Sequence, residues 1–520
     1  MSRLLRTPGF WVAILAVALA FGFLGTRGIW DPDEGRYTNV ALNMLDSGDW
    51  LNPRRNDEVG HWTKPPLTYW AIAASVAALG SNPWAARLPA ALAYLLCVWF
   101  AWRIARRLAP GSEDSAAVIY ATMLFTVGAG QMITTDYVLA ACIGLAMWAF
   151  IESRFPPRGA VASDAIAHDA LKRDTTEHKG IEHDPRRWLA LMWVGFALAF
   201  VAKGPAALLP LPAILLFDWL LPGRRHRALQ LSGIAVFLLL AMPWYVAVML
   251  GNPGLFEYFI GDEVINRVTT NDFNRHGQWY GWLQIYVPTL LLGTLPWTPA
   301  LLRWAGTLPA SIRRWRRDPA SRVADSGWLL LTLWLLLSLL VFCLARSRLP
   351  LYLLPLFVPL AVVAAMQRQR EGRGLPRWRW LIAWAVVLVA LRLATAYWPT
   401  HKNAADWADA IRARAVEPVR EVVFVEDMAR YGLHLHLGTG TQIEKIALEV
   451  SPQPRFNPSF DEPLAQELAE GEHGAVWICK QERWPEVQRR IVAMGYRATP
   501  LGTPYQRRVI FRVQPVPASR

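Results

Sequence analysis

The chain has 520 residues, of which 54% are hydrophobic and only 18% charged, and tryptophan alone occurs 27 times. That composition excludes a string of soluble domains and places the chain among polytopic membrane proteins. The net charge of +14 does not call for nucleic acid, because Lys and Arg collect in the short cytoplasmic loops of such proteins.

Arg3 and Arg6 precede an apolar run, Phe10 to Leu24, with no convincing small-residue cleavage site after it, so a retained signal anchor is expected. A spanning helix needs about 20 predominantly apolar residues. Eleven stretches qualify or nearly so: 8–26, 85–103, 115–133, 137–153, 187–203, 205–221, 229–250, 279–302, 326–345, 348–366 and 377–397. Pro65 to Leu79 is shorter and opens with two prolines, which predicts a helix lying at the interface. The fold class expected is a polytopic α-helical membrane protein with about 11–13 transmembrane helices, juxtamembrane helices in the first outer loop, and a small C-terminal α/β domain.

Placing the N-terminus in the cytoplasm puts the dense cation runs on that side: Arg103–Arg107, the insert 154–187, Arg224–Arg227, Arg303–Arg322 and Arg368–Arg379. The segments 27–84, 134–136, 251–278, 346–347 and 398–520 then face the periplasm. The insert mixes both charge signs with small residues, and His168, His178 and His183 lack an i, i+4 register, so a cytoplasmic linker is expected. Gly438-Thr439-Gly440 lacks the third glycine of a dinucleotide fingerprint and reads as a turn. Residues 1–397 thus form a transmembrane domain and 398–520 an α/β domain. Its strands are expected at Glu421–Glu426, Ala475–Cys479 and Arg508–Val513, with a helix over Glu482–Met494. It carries no nucleophile motif, and a cap or acceptor-binding role is expected. Cys97, Cys142, Cys343 and Cys479 show neither metal-type spacing nor a disulfide framework.

Charge concentrates in the first outer loop, where Asp31, Asp33, Glu34, Arg36, Arg54, Arg55, His61 and Lys64 fall between Trp30 and Tyr69. Carboxylates followed by cations suit chemistry on a sugar joined to a phosphate: a carboxylate takes a proton from the attacking hydroxyl, and Arg and Lys hold the phosphate that leaves. The same expected face receives Asp136, Lys203, Asp262, Glu263, Arg267, His276, Arg346 and Arg348. Taken alone, Lys203 would snorkel to the interface and Asp136 would cap the following helix. Five outer segments supplying both signs to one face point instead to a site. ATP and nucleotide sugars are cytoplasmic, so an activated donor on this face must arrive as a lipid phosphate.

The pattern Asp33-Glu34-Gly35-Arg36-Tyr37, then Gly48-Asp49-Trp50, then Lys64-Pro65-Pro66-Leu67-Thr68-Tyr69-Trp70 resembles the first outer loop of the lipid-phosphate-sugar glycosyltransferases of the GT-C class. More narrowly it is similar to the bacterial aminoarabinose transferases and the related protein mannosyltransferase family. The similarity continues through Ala85–Pro89, Thr135-Asp136, Leu198–Pro205, Glu263–Arg267 and Ser347–Pro355. The resemblance implies that Asp33 is the catalytic carboxylate, with Asp136 a second acid. It implies that Arg36, Lys64, Arg267 and Lys203 bind the polyprenyl phosphate and that Glu34, Tyr37 and Tyr352 line the cavity. The activity implied is inverting transfer of a sugar, 4-amino-4-deoxy-L-arabinose or a related amino sugar, from undecaprenyl phosphate to a lipid A phosphate at the bacterial inner membrane. Masking that phosphate would underlie polymyxin resistance. The alternative within the same mechanism is a polyprenyl-phosphate mannose or hexose donor with a protein or glycan acceptor. A lipid transporter would spread charges through span centres, and an assembly protein gains nothing from these loop clusters. Relatives carry Glu or His before Lys-Pro-Pro, where this chain has Thr63, and a histidine near Arg267, where it has Asp262 and Glu263. Those two carboxylates are the candidate ligands for a divalent metal, Mg²⁺ fitting better than Zn²⁺.

Overall fold

The computed structural model describes residues 7–155, 184–221, 228–266, 276–415, 418–438, 440–471 and 474–516. Most of the expected linker, Arg224–Arg227, Arg267 and Thr439 lie outside the described residues. The chain forms two compact units, one comprising Met1–Gly22, Ala91–Gly130 and Thr135–Val389, the other Phe23–Ala90, Gln131–Thr134 and Ala390–Arg520.

The protein is a multi-span membrane protein. Among the described residues, seven helices are long and apolar enough to cross a bilayer: Pro83–Leu108, Thr135–Arg154, Pro185–Leu208, Leu231–Gly251, Ser326–Leu344, Pro350–Arg370 and Trp378–Ala396. Gly281–Gly293 and Thr298–Arg317 add an eighth if counted together, although they meet at a bend of 119°. Other expected stretches are broken. The run 115–133 divides at Met123 into Glu113–Thr122 and Leu124–Ala129. The run 205–221 becomes a 3₁₀ segment, Gly204–Leu208, and a helix, Leu211–Leu220. Hydropathy sums over a window and is blind to the chain breakers within it, here Gly204, Pro205 and Pro210. Pro65 to Leu79 forms a helix over Leu67–Leu79, thirteen residues and too short to span.

Within the first unit, Thr135–Arg154 and Pro185–Lys203 approach closely because Gly195 faces the other backbone: a Cβ there would lie 2.7 Å from the Ala146 nitrogen. Small residues allow such contact where no hydrophobic driving force acts between helices.

The second unit is built on a six-stranded sheet: β1 Glu421–Val425, β2 Gln442–Ala447, β3 Glu462–Pro463, β4 Ala475–Lys480, β5 Tyr496–Pro500 and β6 Arg508–Pro515. The order is β3-β2-β1-β4-β6-β5, with the first four parallel and β6 antiparallel to both neighbours. The three strands expected from sequence are β1, β4 and β6. All five β1 residues are buried, as a central strand covered on both faces requires. Val423, Val425, Ile446 and Trp477 pack under the helices Leu464–Glu470 and Trp484–Ala493, and Val422, Phe424, Ile443 and Ile478 pack against Trp407 and Ile411.

The first outer loop belongs to this same unit. Its helices Asp33–Ser47 and Leu67–Leu79 share one core, in which Ile29, Leu42, Ile72 and Val76 meet Ala404 and Leu435. The packing therefore groups residues 27–84 with 398–520 rather than with the helices that follow them in sequence. Gly35 is the closest approach: a Cβ there would fall 1.8 Å from Asp31 Oδ1 and 2.5 Å from the Gly432 nitrogen. Gly35→Ala should destabilise the protein by about 3 kcal/mol, read as a lower Tm in detergent, whereas Gly306→Ala, with nothing within 4 Å, should leave Tm unchanged.

Candidate functional site

Three acids stand at the start of the helix Asp33–Ser47, and each meets a different environment. Glu34 is 2% exposed. Its carboxylate accepts from Arg27 (Nη1 2.8 Å, Nη2 3.0 Å), from Arg87 (Nε 3.1 Å, Nη2 3.0 Å) and from the backbone nitrogens of Trp30 (2.9 Å) and Ile133 (3.1 Å). Burial opposes its charge, but the two guanidinium groups outweigh that and hold its pKa down at about 2. Arg87 also donates to the carbonyls of Leu24, Arg27 and Gly28, and Arg27 to that of Gln131. Glu34, expected to line a cavity, is thus spent on structure. Sequence reasoning gave neither Arg27 nor Arg87 a role, because their pairing with Glu34 appears only in the fold.

Asp33 faces the other way. Its side chain is 62% exposed and accepts from Arg36 Nη2 at 3.0 Å, one helical turn on. Arg36 and Lys64 also act on His61, and this marks a common location. His61 is 1% exposed, and burial first, then Arg36, Arg55 and Lys64, push its pKa well below the ordinary value, so the ring is neutral. Its Nε2 lies 2.8 Å from the Thr63 hydroxyl, and its ring meets Tyr69 edge-on, which in turn stands 5.8 Å from Tyr37. Arg55 is occupied by Asp461 (2.8 Å) and the Pro458 carbonyl, while Lys64 donates to the Thr63 carbonyl at 2.6 Å. Arg36 and Lys64 thus both stand near His61, with Asp33 paired to Arg36.

Asp31 is 2% exposed. Its Oδ1 accepts from the Gly432 nitrogen at 3.1 Å, its backbone nitrogen donates to the Lys402 carbonyl at 2.9 Å, and Oδ2 meets no donor. Burial raises its pKa to about 8.

In the first unit, Lys203 ends the helix Pro185–Lys203 and forms an ion pair with Asp136, in the first turn of Thr135–Arg154. The same ammonium lies 4.5 Å from the centre of the Tyr352 ring, a cation–π contact. Three residues chosen separately from sequence thus meet. Arg348 is structural: it donates to the carbonyls of His276, Gln278 and Cys343. Asp262 and Glu263 lie on a π-helical turn, Gly261–Asn266, where Asp262 accepts from Asn266 (2.8 Å) and Glu263 from the Tyr258 hydroxyl (3.1 Å). Among the described residues no third metal-type ligand gathers with them. Arg267 lies outside the described residues.

Comparison with known proteins agrees with the resemblance read from the motifs. Residues 63–153 match the family described as dolichyl-phosphate-mannose-protein mannosyltransferase. The undecaprenyl phosphate-alpha-4-amino-4-deoxy-L-arabinose arabinosyl transferase of Edwardsiella ictaluri is 30% identical over 368 residues, covering 69% of this chain and 59% of the relative. The corresponding transferase 2 of Pseudomonas fluorescens is 29% identical over 366 residues, covering 68% and 59%. The chain spans about six tenths of the length of these curated relatives. Among solved structures, ArnT from Cupriavidus metallidurans bound to undecaprenyl phosphate superposes with a TM-score of 0.71 at 20% identity, over 96% of this chain and 97% of that one. The oligosaccharyltransferase AglB from Archaeoglobus fulgidus gives 0.51 at 11% identity, over 93% and 71%. The chain is thus related in sequence to the aminoarabinose transferases and shares the fold of ArnT.

The Asp31 environment makes a pH prediction. The folded protein keeps a proton that the unfolded chain releases near its ordinary pKa of 3.8, so this group's contribution favours the folded state at low pH and fades as pH rises toward about 8. Asp31→Asn should therefore gain Tm relative to wild type at about pH 8 and lose that advantage at about pH 5; equal differences at both would assign Asp31 an ionised state.

Proposed function

We propose that this protein is an inverting glycosyltransferase of the bacterial inner membrane, moving 4-amino-4-deoxy-L-arabinose from undecaprenyl phosphate to a phosphate of lipid A. In this reading the N-terminus is cytoplasmic, and the first loop and the C-terminal region are periplasmic. The observation that carries it is the convergence of Arg36 and Lys64 on a neutral His61 beside the exposed Asp33, in a chain related to aminoarabinose transferases.

Arg36 and Lys64 hold the phosphate that joins sugar to lipid and stabilise the charge it gains as the anomeric C–O bond breaks. An oxygen of the acceptor phosphate attacks the opposite face of the anomeric carbon, giving a single displacement. When that acceptor still carries its last proton, Asp33 receives it. Lys203 and Asp136 are assigned to lipid-phosphate binding and to the second acid on the resemblance, Tyr37 and Tyr352 to the lining.

A phosphate acceptor makes the demand for a base pH-dependent, because its last ionisation lies near about pH 6. Asp33→Asn should reduce transfer by about tenfold at pH 5, where only about a tenth of the acceptor phosphate is ionised, and recover by pH 8, measured as pentosamine added to lipid A by mass spectrometry. A hydroxyl acceptor, as in hexose transfer to protein, stays protonated throughout and would show no such recovery. Full activity of Asp33→Asn at pH 5 removes Asp33 from the mechanism. Arg36→Ala and Lys64→Ala should each raise KM for the lipid-phosphate donor with Tm unchanged; an unchanged KM in both removes them from the site.

A further inference from the structure

The C-terminal sheet gathers carboxylates that sugar transfer does not use. Glu421 opens β1 and pairs with Gln442, while Val423 pairs with Glu444. Glu421 and Glu444 are therefore diagonal neighbours on one face of adjacent strands. The helix Leu464–Glu470 covers that face through Leu464 and Leu468, which join Val423 and Ile446 in the core, and it brings Glu467 over the two strand acids. One oxygen from each of Glu421, Glu444 and Glu467 lies within 4.8 Å of the others. Glu421 is 3% exposed and Glu467 4%.

A second observation comes from outside that trio. Glu462, on β3 at the edge of β2, is 7% exposed, and neither of its carboxylate oxygens meets a hydrogen-bond donor; nor does Oε2 of Glu467. Among the described residues, the charges acting on Glu444, Glu462 and Glu467 after burial are carboxylates: Glu58, Glu421, Asp461, Glu470 and one another. Arg55, the nearby cation, is taken by Asp461, and Asn56 gives Glu444 a single hydrogen bond at 3.4 Å. Buried carboxylates without counter-charge are costly unless they share protons or bind a cation.

We propose that Glu421, Glu444 and Glu467, with Glu462 beside them, bind one hard divalent cation. The donor set is all oxygen, which disfavours zinc and suits Ca²⁺ or Mg²⁺. The three oxygens lie within 4.8 Å of one another, a spacing that one such ion bridges. The bound ion fastens β1 and β2 to the helix above them.

The test uses the full chain in detergent, freed of metal with EDTA and titrated with Ca²⁺ alone, reading Tm and displacement of Tb³⁺ luminescence. Wild type should gain about 3 °C or more at saturating Ca²⁺ and release bound Tb³⁺ as Ca²⁺ is added. The double variant Glu421→Gln/Glu467→Gln should have a higher calcium-free Tm, because the repulsion is gone, and should lose both responses. That opposite pair of changes separates loss of the site from loss of the fold, and Glu462→Gln, which keeps the trio, should retain a weakened response. Equal Ca²⁺ responses in wild type and the double variant overturn the proposal. So does a wild type indifferent to Ca²⁺ whose Tm rises only on acidification, which would make the cluster a proton-sharing one.

Discussion

The arrangement of the first outer loop depends on one carboxylate held between two arginines. Glu34 could not remain ionised at 2% exposure without Arg27 and Arg87, and neither guanidinium could be buried without it. Breaking such a buried pair from one side costs about 3–5 kcal/mol, because it strands the remaining charge. The cluster also closes a backbone account: Arg87 and Arg27 satisfy carbonyls of residues 24–28 and 131, and Glu34 satisfies nitrogens of Trp30 and Ile133. Residues far apart in sequence are thereby held around the first turn of one helix.

From that anchor the neighbouring side chains follow. Successive helical residues point about 100° apart, so Glu34 turned inward leaves Asp33 outward, and Arg36 returns to the Asp33 side one turn later. Asp31, two residues earlier, is shut in against Gly432 and carries a raised pKa. Acids at 31, 33 and 34 thus have three different tasks: a protonated contact, an exposed candidate base and a buried ion-pair node. Nothing in the letters Asp-Pro-Asp-Glu distinguishes them; burial and partner charge do.

That difference sets what could be read beforehand. Motif spacing located the loop, Asp33, Arg36 and Lys64, and it selected Asp136, Lys203 and Tyr352, which the structure brings together. Strands β1, β4 and β6 were legible because their apolar runs are continuous. Strand β2, QIEKIA, was not, because Gln442, Glu444 and Lys445 interrupt its apolar run. Where helices break inside the expected runs, at Met123 and at Gly204 to Pro210, the windowed sum gave no sign of it, since it ignores where a helix ends. The ion pairs of Glu34 were not legible for a plainer reason: its partners Arg27 and Arg87 sit 7 and 53 residues away, beyond any local pattern.

The C-terminal region was expected to cap the site or bind an acceptor. Within its own unit it also does something more basic. His434 lies within hydrogen-bond reach of Asn39 (2.9 Å) and Asp46 (3.2 Å), the Ile29 carbonyl accepts from Ala404 (2.9 Å), and Asp461 fixes Arg55 (2.8 Å). Asn39 and Asn43 then donate to the Arg55 carbonyl at 2.5 and 2.7 Å, so the link runs from the sheet through Arg55 into the helix that carries Asp33 and Arg36. A loop of some forty residues would otherwise have to order itself against its own conformational entropy, at roughly 1–2 kcal/mol per residue. Being folded into the sheet unit removes most of that freedom in advance, which is the condition for Asp33, Arg36 and Lys64 to act as positioned groups rather than as charges on a tether.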